Sequence, residues 1–161
     1  MRHTISVLVQ NHTGVLARVS GLFSARAYNI ESLAVGTTLD PEYSRITIVV
    51  SGDDQVLEQV IKQLAKLVEV VKVADLKPDA SVLRELALIK IRAEGNTRLE
   101  IFELANVFRA KVIDVSPTSL SVEVTGAHDK VEGFLELARP HGILELVRTG
   151  IAGLSRGPET L

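Results

Sequence analysis

The sequence predicts an α+β protein made of two consecutive βαββαβ units. Three observations predict it. Short alternating or β-branched apolar runs are interleaved with amphipathic stretches whose apolar residues recur at helical spacing. The order strand, helix, strand, strand, helix, strand is completed within the first half of the chain and then recurs, a self-similarity at a period of about half the length. A pattern-breaking segment, Lys77-Pro78-Asp79-Ala80-Ser81, stands between the two copies. The implied organisation is a domain over 1–76, a linker over 77–81 and a second domain over 82–161.

In the first copy, residues 4–10 alternate as a strand, and a helix is predicted over 14–28. Its stripe is Val15, Leu16, Val19, Leu22 and Phe23, with Asn11 and Thr13 placed as capping residues ahead of it. Residues 31–38 form the second strand, and Asp40-Pro41-Glu42 is turn chemistry. Residues 45–51 form a β-branched third strand. Gly52-Asp53-Asp54 caps a second helix whose buried stripe is Val56, Leu57, Val60, Ile61 and Leu64. The fourth strand, 68–76, carries valines at 68, 70, 71 and 73, which predicts burial on both faces.

In the second copy, residues 85–93 form a strand and Glu94-Gly95-Asn96-Thr97 a loop that keeps the capping role. A helix over 98–110 turns Ile101, Leu104, Ala105 and Phe108 to one face. Strands over 112–115 and 120–125 are joined across Ser116-Pro117-Thr118-Ser119. A helix over 127–139 carries Val131, Phe134, Leu135 and Ala138, and 143–148 is the last strand. With right-handed crossovers this order is the split βαβ, ferredoxin-like unit: an antiparallel sheet with both helices on one face. The open face and the edge strands then need cover. Pairing of two copies through the strand that follows Asn29 and Ile30 would supply some of it.

Composition narrows the function classes. The 161 residues suit one medium or two small domains, and 46% hydrophobic content with 4% aromatics demands an aliphatic core. A net charge of −2, evenly spread, argues against a phosphate-gripping nucleic-acid surface. The central strands of both copies lack the aromatics on which RNA-binding units of this order stack bases. Without cysteine there are no disulfides, thiolate metal sites or cysteine nucleophiles. The N-terminus reaches polar Gln10-Asn11-His12 too early for a signal peptide and no apolar run has membrane-spanning length, so a cytoplasmic protein is expected.

Little else carries chemistry. His3, His12, His128 and His141 have no metal-ligand spacing, no serine sits in a nucleophile elbow, and Asp53-Asp54 is better read as a helix cap than as a carboxylate pair. The glycine-rich 150–157 stretch lacks the lysine of a phosphate loop and does not open a helix, so a mobile or partner-contacting tail is expected. The Asn11–Gly14 loop is different. A strand, a short Asn/Gly loop and a helix start make an anion site in outline, because free N–H groups and the helix dipole both favour negative charge. The equivalent loop of the second copy places Glu94 and Glu100 about its helix start, which would repel a carboxylate.

Residues 6–19, SVLVQNHTGVLARV, resemble the opening of an ACT domain. With GLFSARAYNIESL over 21–33, Asp40-Pro41 and Ser44-Arg45, the chain resembles the small regulatory subunits of acetolactate synthase (acetohydroxyacid synthase). The linker, Leu88-Ile89-Lys90-Ile91, Ile113-Asp114-Val115-Ser116-Pro117 and TGIAGLSRG over 149–157 extend the resemblance nearly end to end. Ala27 departs from it, standing where relatives often have Gly, and Val15 is bulkier than the usual small residue. The resemblance implies a non-catalytic subunit that binds and activates a large catalytic subunit. That larger subunit would carry thiamine diphosphate, Mg and FAD. It also implies feedback inhibition by valine in branched-chain amino-acid biosynthesis. Valine would lie between the ACT domains of a homodimer, its carboxylate on the amides of Gly14, Val15 and Leu16. Its ammonium would meet Asn11, with Asn29 and Ile30 supplied by the neighbouring chain of the dimer. A free-standing ACT sensor governing another enzyme is the alternative, and an enzyme on tandem ferredoxin-like domains would need convergent polar groups that the sequence does not show.

Overall fold

The computed structural model describes residues 1–161 and divides them into two compact units, Met1–Val82 with Ile151–Leu161, and Leu83–Gly150. The first unit runs β1 (Arg2–Gln10), α1 (Val15–Ala25), β2 (Ile30–Thr37), β3 (Tyr43–Ser51), α2 (Asp54–Ala65) and β4 (Val70–Asp75). Its antiparallel sheet has the order β2-β3-β1-β4. Strand alternation turns Ile5, Val7 and Val9 of β1 and Ile46, Ile48 and Val50 of β3 toward the helices. There they pack with Val15, Val19, Leu22, Phe23, Val60 and Leu64 in one aliphatic core. Asp53 caps α2 as expected, its carboxylate accepting from the Val56 N–H at 2.9 Å.

The burial predicted for the fourth strand is only half right. Val70 and Val73 pack against the core, but Val71 is 53% and Val68, ahead of the strand, 83% exposed. The reason lies in the register: Val71 is the extra residue where β4 slips past Leu8 and Val9 of β1, which turns Val70 and Val73 to the same side, and Val68 precedes the strand.

The second unit contains most of β5 (Ser81–Arg92), then α3 (Thr97–Val107), β6 (Lys111–Val115), β7 (Ser119–Gly126), α4 (His128–Ala138) and β8 (Ile143–Arg148), with the sheet order β6-β7-β5-β8. The helix stripes lie where the spacing places them: Ile101, Ala105, Val131, Phe134, Leu135 and Ala138 are buried, with Leu104 and Phe108 packed alongside. Phe108 meets Phe134 edge to face, ring centroids 5.6 Å apart. The buried Glu85 carboxylate is held by His128 at 3.2 Å. Arg148, hydrogen-bonded to Glu132, holds that carboxyl below the usual range. Both units are therefore ferredoxin-like, with antiparallel sheets and two helices each.

The segment over 150–157 is not a loose tail. After the second unit the chain returns to the first, where Ile151 is buried and its N–H donates to Ser32 Oγ at 2.9 Å. A short strand, β9 (Ala152–Ser155), follows, and just beyond it the Arg156 N–H donates to Ala80 C=O within the first unit. Sequence reading misses this because the segment is too short and too glycine-rich to show strand alternation.

Phe134 is the largest fully buried side chain of the second core besides its aliphatic neighbours. Phe134→Ala is expected to cost about 3–5 kcal/mol, read as a lowered urea midpoint at unchanged slope.

Candidate functional site

The loop after β1 is built by backbone bonds. Asn11 N–H donates to Glu42 C=O at 2.7 Å, and Asn11 Nδ2 donates to Pro41 C=O at 2.9 Å. Asn11 therefore ties its loop to the β2–β3 turn rather than capping α1. Neither Asn11 nor Thr13 makes a side-chain cap. The N-cap is Gly14, at φ +91°, a conformation that glycine adopts freely. Sequence reading missed this because a left-handed glycine can begin the helix by backbone geometry alone. Asn96 in the second unit likewise makes no side-chain cap.

At the start of α1 the Val15 N–H makes a long 3.4 Å bond to His12 C=O, and Arg18 N–H closes the first helical bond on Gly14. The amides of Leu16 and Ala17, between them, have no acceptor in the chain. No acidic residue lies in this first turn, whereas the first turn of α3 carries Glu100. A Cβ on Gly14 would meet nothing within 4 Å. The Val15 side chain is buried in the core, so it does not reach into the open space; Leu16, 45% exposed, does face solvent. Beside the loop is a cavity of about 370 Å³ lined by Gln10, Asn11, His12, Pro41, Glu42 and Tyr43.

The other two expected residues lie elsewhere. α1 has 11 residues and is therefore about 16 Å long, and Asn29 and Ile30 follow its far end. That end is a Schellman turn: Tyr28 N–H donates to Phe23 C=O at 3.0 Å and Ala27 N–H to Ser24 C=O at 3.2 Å. Ala27 sits at φ +56°, where glycine is favoured. Tyr28 packs on the core and leaves Asn29 exposed, and Ile30 opens β2, an edge strand. Within one copy, Asn11, Gly14, Val15 and Leu16 thus gather at one end of α1, and Asn29 and Ile30 at the other.

No group of three or more His, Asp or Glu side chains is arranged to hold a metal ion, and no helix is long and apolar enough to cross a membrane. Arg45 and Lys72 carry no functional spacing in the sequence; only strand register brings them together, on either side of Leu8.

Residues 5–72 match the family described as the AHAS small subunit-like ACT domain, and residues 84–157 match the small subunit of acetolactate synthase. The chain is 57% identical over 157 residues to a probable acetolactate synthase small subunit of Archaeoglobus fulgidus, covering 98% of both chains. It is 54% identical to the acetolactate synthase small subunit of Mycolicibacterium smegmatis, covering 97% of this chain and 92% of that one. The crystal structure of an acetolactate synthase small subunit from Thermotoga maritima superposes with a TM-score of 0.90 at 44% identity, covering 99% of each chain.

A non-glycine residue in the left-handed region costs about 1–2 kcal/mol, partly offset by the backbone entropy that glycine loses. Ala27→Gly is expected to stabilise the first unit by a few tenths to about 1 kcal/mol, seen as a raised urea midpoint.

Proposed function

The chain belongs to the family of acetolactate synthase small subunits, and from that premise we propose that it is the feedback-sensing partner of a large catalytic subunit. In this reading it activates that subunit and makes it inhibitable by valine in branched-chain amino-acid biosynthesis, in the cytoplasm. Thiamine diphosphate, Mg and FAD belong to the catalytic subunit. The chain acts by binding, not by chemistry of its own.

The observation that carries the valine reading is the acid-free start of α1, with unpartnered amides at Leu16 and Ala17 and open space over Gly14. A carboxylate placed there gains hydrogen bonds and the favourable end of the helix dipole. Asn11 spends its amide N–H on Pro41, so its oxygen is free to accept from an ammonium; Glu42, lining the same cavity, also favours a cation. Asn29 and Ile30 are an α-helix length away in the same copy, so they complete this pocket only from a second copy. The β2 edge is where two copies would pair. Selection among aliphatic amino acids then rests on fit, at about 1–3 kcal/mol per methylene. Inhibition needs valine to bind the inhibited assembly more tightly than the active one, with a typical coupling of about 1–3 kcal/mol.

Gly14→Asp puts a negative charge into the open space, and aspartate tolerates the left-handed backbone better than most residues. It is expected to weaken valine binding by calorimetry at least about ten-fold and to give a valine-resistant enzyme that is still activated. Gly14→Asn, the same shape without charge, is expected to bind better than Gly14→Asp; equal sensitivity of all three proteins would refute the pocket. Asn29→His is expected to lower affinity from across the dimer, while changes in the 94–97 loop leave it intact. Co-purification with a thiamine-diphosphate subunit tests the partner and separates this reading from a free-standing sensor.

A further inference from the structure

The corner between α3 and β6 repeats the corner between α1 and β2. Arg109, at φ +52°, stands where Ala27 does, at φ +56°. The Ala110 N–H donates to Ala105 C=O at 2.8 Å, as the Tyr28 N–H does to Phe23 C=O. The strand then slips register after Val112, as β2 does after Ile30, with Ile113 and Glu31 the extra residues. β6, like β2, is an edge strand, and no other segment of the chain bonds to its outer side.

The two edges differ in what they carry. Glu31 is held within its own chain by Arg2 and Ser51. Ile113, in the same place, is 52% exposed, and Val115 is 57% exposed. An edge left to solvent is normally blunted by charge, so two large apolar side chains on a five-residue strand call for cover. Lys111 and Asp114 are exposed too, and neither forms an ion pair. They pair with Glu123 and Ser121, so both lie on the sheet face away from the helices. Antiparallel pairing of this strand with itself about a two-fold axis has few registers. Axes at Lys111 or at Asp114 set like charges opposite each other. Within these five residues only the axis between Val112 and Ile113 sets unlike charges opposite, Lys111 of each chain against Asp114 of the other.

We propose that the second units of two chains join β6 to β6 in this register, extending the antiparallel sheet across the pair. Lys111 and Asp114 then form two ion pairs on the open face, and Ile113 lies against Val112 of the second chain. A second copy of this chain is the occupant because the strand is complementary to its own sequence. The contact lies within the second unit, so it does not depend on valine binding at Gly14–Leu16 of the first.

The chain has no cysteine, so a single introduced one reads this edge alone. Ile113→Cys places a thiol next to the two-fold axis. A short bismaleimide is expected to link most of that full-length variant into a covalent dimer. Val147→Cys, exposed on the opposite edge strand β8, is expected to stay largely unlinked. Hydrogen exchange of the full chain gives a second readout. Lys111→Asp and Asp114→Lys are each expected to speed exchange of the 111–115 amides at least about ten-fold, and the double variant to restore protection. The substitution at 111 still faces Glu123 within its own chain, so restoration reports pairing between chains and not strand stability. Equal linking of the two cysteine variants would overturn the proposal, as would single variants that exchange like the parent or a double variant that stays unprotected. So would amides that become protected only when the large catalytic subunit is added, which would make the edge a contact with that subunit.

Discussion

A sheet packed by helices on one side only has a second face to cover, and that constraint organises this chain. In the first unit the face away from the helices carries Thr4 and Ser6 of β1 and Thr47 and Val49 of β3, all buried. They pair in rows, Thr4 with Val49 and Ser6 with Thr47. The C-terminal segment contributes to the cover through the bonds of Ile151 to Ser32 and of Arg45 to Gly153. The second unit manages its corresponding face differently. Leu88 pairs with Val147 there and both stay exposed, beside the salt bridge of Lys90 with Glu145 at 3.6 Å. One architecture thus gives two faces of different character, because the residues left over by strand alternation differ.

Helix α1 works as a spacer as much as a core element. One end presents amides without acceptors, and the other delivers Asn29 and Ile30 to an edge strand. The Schellman turn at Ala27 and the register shift between Ile30 and Ser32 set how the chain enters β2, turning Ile30 and Leu33 to the core and Ser32 to the other face. The stretch Tyr28–Leu33 begins with the residue that closes the turn and contains the register shift.

Much of the fold was legible because the cores are aliphatic and strictly periodic. Ile5, Val7 and Val9 alternate as a half-buried strand must, and Val131, Phe134, Leu135 and Ala138 recur as a helix stripe must. Asp53 was legible as a cap because its side chain makes the cap bond. Asn11 and Thr13 misled for the complementary reason: the same residue types were present, but the left-handed Gly14 begins the helix and Asn11 bonds to a turn thirty residues on. The edge position of β4 was illegible as well, since strand order is not written in a run of valines.

What the sequence alone determined was the succession of the two βαββαβ sets, most residues of each core and the family, because all three rest on local period and on motif. What only the tertiary structure decided was which residues meet. Strand register puts Arg45 and Lys72 on either side of Leu8, and the return of the C-terminal segment roofs them over. These contacts join positions far apart along the chain, and no local pattern of side chains encodes that kind of proximity.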